Sequence, residues 1–191
     1  MKIIQIGSNK GGDSLSDHLF KHYTHLEFAV FVEPNKMHIA ELTQHYKQYS
    51  NAIIENVAIK PNFNTSKELT LYYHVDDGPQ YEVTSCKVEH IQKHYWDTKN
   101  KIKSFTIPCL SLEELFEKHK VTALDWLLLD VEGIDVDILL SYNWSSIVIK
   151  RVEFEFIHLA EHAQKIKDMF LSLGYKEVPA LHKFDWAFEL V

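Results

Sequence analysis

Phe28–Val32 reads FAVFV, apolar at every position, and Trp126–Val131 reads WLLLDV, apolar at all but one. Runs this short are strands, and a strand with no polar face cannot have water on either side of it. Both belong inside a sheet that is covered above and below. Crossover helices between parallel strands supply such cover.

The rest of the chain has that rhythm. Ile3–Ile6 is a buried strand, followed by Ser14–Tyr23 with Leu15, Leu19, Phe20 and Tyr23 at helical spacing. After Phe28–Val32, Pro34 stops the strand and Asn35 can cap a helix carrying Ile39, Leu42 and Tyr46. Ala52–Ile59 predicts a third strand and Leu69–His74 a shorter fourth. Gln80–Lys103 is polar and breaks the pattern, with one helix indicated by Val88, Ile91 and Tyr95. The stretch from about 77 to 104 therefore reads as an insertion or lid within a single domain, 1–191. Ser111 and Glu114 form a capping box for the next helix. Trp126–Val131, a short helix Ile134–Leu140 and a strand Ile147–Phe156 follow, then a long helix from Leu159 to Leu173 that Gly174 can end. Tyr175–Val178 and Trp186–Leu190 close the chain, and they can bring an antiparallel strand to or near the sheet edge. The expected fold is α/β, a mainly parallel sheet with helices on both faces.

Composition narrows the partners. A net charge of −7 argues against nucleic acid or an anionic membrane, and no apolar run reaches the length of a membrane span. Lys2 leads straight into a core strand, so no signal peptide is expected. Cys86 and Cys109 make a poor disulfide framework and suit a reducing, cytoplasmic compartment.

In parallel sheets of this kind ligands bind beyond the carboxyl ends of the strands, where strand order reverses. Gly7 stands there, in IIQIGSNKGGDS. The dinucleotide fingerprint needs a second glycine two residues on, and Asn9 occupies that place. A phosphate loop is absent as well, since no lysine-serine or lysine-threonine follows the glycines. Gly7 and Gly11 also fit a plain strand-to-helix turn. Glu33 closes the second strand, where an acid can accept hydrogen bonds from ribose hydroxyls; a surface glutamate ahead of a helix is the alternative. Together these features favour S-adenosylmethionine, which has an adenosine, no phosphates and a cationic sulfur. Asp130 and Glu132 end the WLLLD strand, and Gly133 lets the chain turn into a helix. Two carboxylates there can face a sulfonium, take a hydroxyl proton or hold a metal; Asp130 could also simply cap the helix.

The ordered set IGSNKGGDS, FVEPN, ENVAI, PCLSLEELF, DVEGID and EFEF resembles the FkbM family of S-adenosylmethionine-dependent methyltransferases, from Ile3 to about His158. The resemblance implies a Rossmann-like class I methyltransferase fold with a mainly parallel seven-stranded sheet. It also implies O-methylation of a sugar or other small hydroxylated metabolite. By position it places Gly7, Ser8, Asn9 and Gly11 at the methionine end of the cofactor and Glu33 on the ribose with Asn35 beside it. It places Asn56, Val57 and Ala58 near the adenine, and Thr84 and Ser85 in a hydroxyl-rich segment close to the site. Asp130 and Glu132 match the family's acidic pair and Asp135 the acid after it. Two positions depart from the pattern: Gln5 stands where the family commonly has aspartate, and Leu128 where it usually has lysine. The sequence also opens almost on the first strand, without the helices that often precede it in the family.

Transfer to an alcohol needs a base for its proton. Asp130 and Glu132 are the first candidates, with Glu155 and His158 at the end of the next strand as others. The histidine pairs His18/His22, His90/His94 and His158/His162 have helical spacing, but none makes H-E-x-x-H, and no metal is expected. Asp130, Glu155 and His158 would be the donors if one were bound. A methyltransferase fold kept for binding without turnover, and a nicotinamide-dependent enzyme, are the alternative readings.

Overall fold

The computed structural model describes residues 1–76, 83–157 and 159–191. Strands β1 (Lys2–Ile6), β2 (Phe28–Val32), β3 (Ala52–Glu55), β4 (Ala58–Ile59), β5 (Glu68–His74), β6 (Ile102–Leu110), β7 (Ala123–Leu129), β8 (Val148–Glu155), β9 (Tyr175–Val178) and β10 (Asp185–Leu190) alternate with helices. The helices are α1 (Ser14–His22), α2 (Ile39–His45), α3 (Val88–His94), α4 (Leu112–Lys118), α5 (Asp135–Ser141) and α6 (Ala163–Ser172).

Among the described residues a seven-stranded sheet runs β3-β2-β1-β7-β8-β10-β9. It is parallel from β3 to β8, and β10 lies antiparallel to both neighbours, inside an edge formed by β9. The apolar runs are buried on both faces, as their lack of a polar face requires. On one side Ile4, Ile6, Val30, Val32, Leu127 and Leu129 pack against α4, α5 and α6. On the other, Ile3, Ala29, Phe31, Trp126 and Leu128 pack against α1 and α2. Phe31 stacks on Tyr46 with ring centroids 3.6 Å apart, and truncating so buried a ring costs about 3–5 kcal/mol.

Of the three expected caps, those at Ser111 and Gly174 form and that at Asn35 does not, while Asp13 supplies an unexpected one. Asp13 Oδ1 accepts from the Ser16 amide at 2.8 Å and starts α1. The Ser111–Glu114 box closes in both directions. Gly174, at φ +88°, ends α6. Asn35 acts one turn earlier than a cap: its Oδ1 accepts from the Met37 amide and turns the chain ahead of α2. The helix expected from Leu159 begins as a 3₁₀ turn, Ala160–His162, and is α-helical from Ala163.

Two expectations change. Ala52–Ile59 is not one strand, because β3 pairs with β2 while β4 leaves to pair with β6 in a smaller sheet of order β4-β6-β5. Asn56 lies at the break, where its side-chain Nδ2 donates to the carbonyls of Glu33 and Pro34. Ile102–Leu110 is a strand that the polar insertion concealed, paired antiparallel with β5 from Glu68↔Pro108 to His74↔Ile102. Pro108 hides it, because proline argues against a paired strand. The segment joining the paired strands β5 and β6 carries α3, the helix expected there; residues 77–82 lie outside the described residues. Among the described residues no helix is long and apolar enough to cross a membrane.

Candidate active site

After β1 the chain enters α1 on one face of the sheet, and after β7 it enters α5 on the other. This divergence leaves a crevice beyond the carboxyl ends of the strands. A cavity of about 480 Å³ lies there. Gly7 makes the crevice possible: at φ +79° a Cβ would stand 1.7 Å from the Asp130 carbonyl oxygen. Only glycine lets the β1 and β7 tips touch.

Glu33 is held from three directions. Its Oε2 accepts from the Asn9 amide at 2.8 Å and its Oε1 from the Asn35 amide at 2.7 Å. The Asn56 side chain ties down the Glu33 and Pro34 carbonyls. Each carboxylate oxygen has a second lone-pair site, so the fixed group can still accept from a ligand. His38 lies beside it, Nδ1 3.5 Å from Glu33 Oε1, on the cavity wall.

Acids gather across the cavity. Asp130, Glu132, Glu155 and Asp185 line it together. Solvent reaches Asp130 through the cavity, yet protein walls it in. Burial first, then the charges of Glu132, Asp135, Glu155 and Asp185, holds its carboxyl well above the usual carboxylate range. The same two causes, in the same order, push Glu155 up to about 8. Burial and then the Glu153 charge raise Asp185 to about 6. Asp135 is fully buried and also rises to about 6, although the Val131 and Gly133 amides that it accepts from oppose the shift. Through those bonds Asp135, rather than Asp130, pins the turn into α5. Glu132 sits in that turn at φ +55°, with its Oε2 2.9 Å from His90 Nε2.

Of the residues singled out in the sequence, Gly7, Asn9, Glu33, Val57, Ala58, Asp130, Glu132 and Glu155 meet at this cavity, as does Thr84. Ser8, Gly11, Asn35 and Asn56 stand behind its wall. The Ser8 hydroxyl donates to the Gln5 carbonyl, Gly11 packs on the His45 ring, and Asn35 and Asn56 brace Glu33. Ser85 is buried and bridged to Tyr72. His158 lies outside the described residues. Asp185, Glu153, Asp13 and His38 reach the cavity without having been anticipated. Asp185 arrives because β10 pairs with β8 in the register Asp185↔Glu155, for which no local signal exists.

The family model for the methyltransferase FkbM domain matches residues 5–177. The chain belongs to the FkbM methyltransferase family. The FkbM chain is similar in fold to the crystal structure of methyltransferase FkbM from Methylobacillus flagellatus KT. That match has 12% identity and a TM-score of 0.54, covering 100% of this chain and 43% of the other. This chain thus spans less than half the length of that relative. It is also similar to Aeropyrum pernix fibrillarin in complex with natively bound S-adenosyl-L-methionine, at 10% identity and a TM-score of 0.47, over 98% of this chain and 64% of that one. No curated protein matches the sequence with significance.

The fold is that of a class I methyltransferase, and S-adenosylmethionine is the cofactor of the family. The cavity suits it. Among the described residues Gln5 Oε1 and His38 Nε2 are buried without a hydrogen-bond partner, and both residues line the cavity. Buried polar groups of that kind are costly unless a ligand meets them. A cavity wall of mutually repelling carboxylates is equally suited to a ligand carrying positive charge.

Proposed function

We propose that this chain transfers a methyl group from S-adenosylmethionine to a hydroxyl oxygen of a sugar or another small hydroxylated metabolite. One observation carries the reading: a braced Glu33 and the raised carboxyls of Asp130 and Glu155 border the same cavity. When bound, S-adenosylmethionine supplies an electrophilic methyl carbon and leaves as S-adenosylhomocysteine. Glu33 accepts from the ribose hydroxyls, Asn9 and Gly7 shape the methionine end, and Val57 and Ala58 flank the adenine. Asp130 or Glu155 takes the acceptor's hydroxyl proton as the new carbon–oxygen bond forms, Glu132 standing by as the third carboxylate. The bound sulfonium brings the raised carboxyls back into the ionised form, in which they can take the acceptor's proton. Holding the acceptor in line and dry accounts for several kcal/mol of barrier, on the order of the gain from fixed orientation.

The test is turnover with labelled cofactor over a panel of hydroxylated glycans and small hydroxy acids. Asp130→Asn and Glu155→Gln should each lower kcat/KM, the responsible base by about 10²–10⁴-fold. Cofactor affinity should stay within a few-fold. Unchanged turnover in both variants removes this proton path.

A further inference from the structure

The histidine pairs look alike in sequence, and the fold separates them. His90 and His94 lie one turn apart on α3, with ring centroids 4.8 Å apart. Glu132 meets them from the β7 tip. One donor atom from each of the three lies within 4.8 Å of the others. His90 is buried, and Gly133 lets the turn press on its ring: a Cβ there would stand 2.8 Å from Nδ1. His18 and His22 on α1 have the same spacing and a similar ring separation, 4.6 Å, but belong to no such three-donor group among the described residues.

We propose that His90, His94 and Glu132 bind a divalent transition cation of the zinc type, clamping the α3 insertion to the tip of β7 at the edge of the cavity. Two imidazoles and one carboxylate with an open position form a donor set that zinc accepts. Metal–donor bonds of about 2.0–2.1 Å place tetrahedral donors about 3.3 Å apart, so the widest separation has to close by roughly 1.5 Å. His94, the exposed member of the three, is the residue whose side chain would have to move. Glu132 shares the cavity wall with Asp130 and Glu155, so a cation held by it would offset the repulsion among these acids.

The binding site stands on this geometry alone. Its role in catalysis rests on the proposed function: a cation at the open position would hold the acceptor hydroxyl and ease transfer of its proton to Asp130 or Glu155.

Equilibrium dialysis of tag-free protein against zinc chloride, without S-adenosylmethionine, tests the site, with bound metal counted by atomic emission. The expected result is one zinc per chain, with His94→Ala and Glu132→Gln each weakening binding at least tenfold and His22→Ala leaving it unchanged. Amide exchange across residues 83–104 should slow on adding zinc and not in His94→Ala. No bound zinc, or equal loss in His22→Ala, overturns the site. Zinc binding without any methyl transfer would leave the site standing and remove the proposed function. Methyl transfer by zinc-free protein would leave that function standing and remove the cation from it.

Discussion

Gln5 on β1 and Leu128 on β7 are direct register partners, and Leu128 is in turn the partner of Glu153 on β8. In the family that this chain resembles, those first two positions commonly hold aspartate and lysine. The two positions at which the sequence departs from that resemblance thus lie side by side in the sheet. Gln5 now donates to Asp13 Oδ2 at 2.6 Å, and Glu153 is satisfied by Arg151 at 2.8 Å and the Leu181 amide. Gln5→Asp alone should set a second carboxylate against Asp13 and destabilise the fold by about 1–3 kcal/mol. Adding Leu128→Lys should recover part of that loss, a coupling of about 1 kcal/mol or more in a double-mutant cycle of denaturant melts. Additive effects would contradict the pairing.

Glu33 both braces the turns after β1 and β2 and faces the cavity. Glu33→Ala should weaken S-adenosylmethionine binding in calorimetry at least tenfold, which is about 1.4 kcal/mol. It should also lower stability by about 1–2 kcal/mol, since the Asn9 and Asn35 amides lose their acceptor. Glu33→Gln keeps one acceptor oxygen, and its stability should lie between the two.

Glu155 gives the stability profile a definite sign. Its carboxyl rises from 4.5 to about 8 on folding, so the folded protein retains a proton that the unfolded chain has lost. Its contribution is full below pH 4.5 and disappears as pH rises through about 8. Glu155→Gln removes the charge without removing the shape. Its Tm at pH 8 should exceed that of the parent by about 2–4 °C, the shift expected for about 1 kcal/mol in a chain of this size. At pH 4 the difference should vanish.

Ligand charge should read out the same cluster. A bound sulfonium lowers the raised carboxyls and expels protons, so S-adenosylmethionine should bind more tightly at pH 8 than at pH 6, by about threefold or more. S-adenosylhomocysteine lacks the sulfonium and should change by less than about twofold across the same range. Parallel profiles for the two ligands would mean that the acids do not face the sulfur.

Gly7→Ala should be the most damaging small change in the chain. The added methyl would fall 1.7 Å from the Asp130 carbonyl in a left-handed backbone conformation. Separating β1 from β7 at their tips should cost at least about 3 kcal/mol or prevent folding, as measured by denaturant unfolding. Gly12→Ala, whose nearest neighbour stands 4.0 Å away, should lose only the cost of its positive φ.

What the sequence by itself determined lies in patterns a few residues long. FAVFV requires two covered faces, Gly7 marks a turn no side chain can take, and Ser111 with Glu114 starts a helix, because each depends on its immediate neighbours. Glu33 and Asp130 were legible for the same reason, as acids at the ends of strands. Tertiary structure decided everything that depends on which strand lies beside which. Register brought Asp185 to Glu155, set Gln5 against Leu128, and led β4 away from β3, while the β5–β6 hairpin carried His90 to Glu132. Those partners are separated by many residues, and no local propensity encodes the chain closure that joins them.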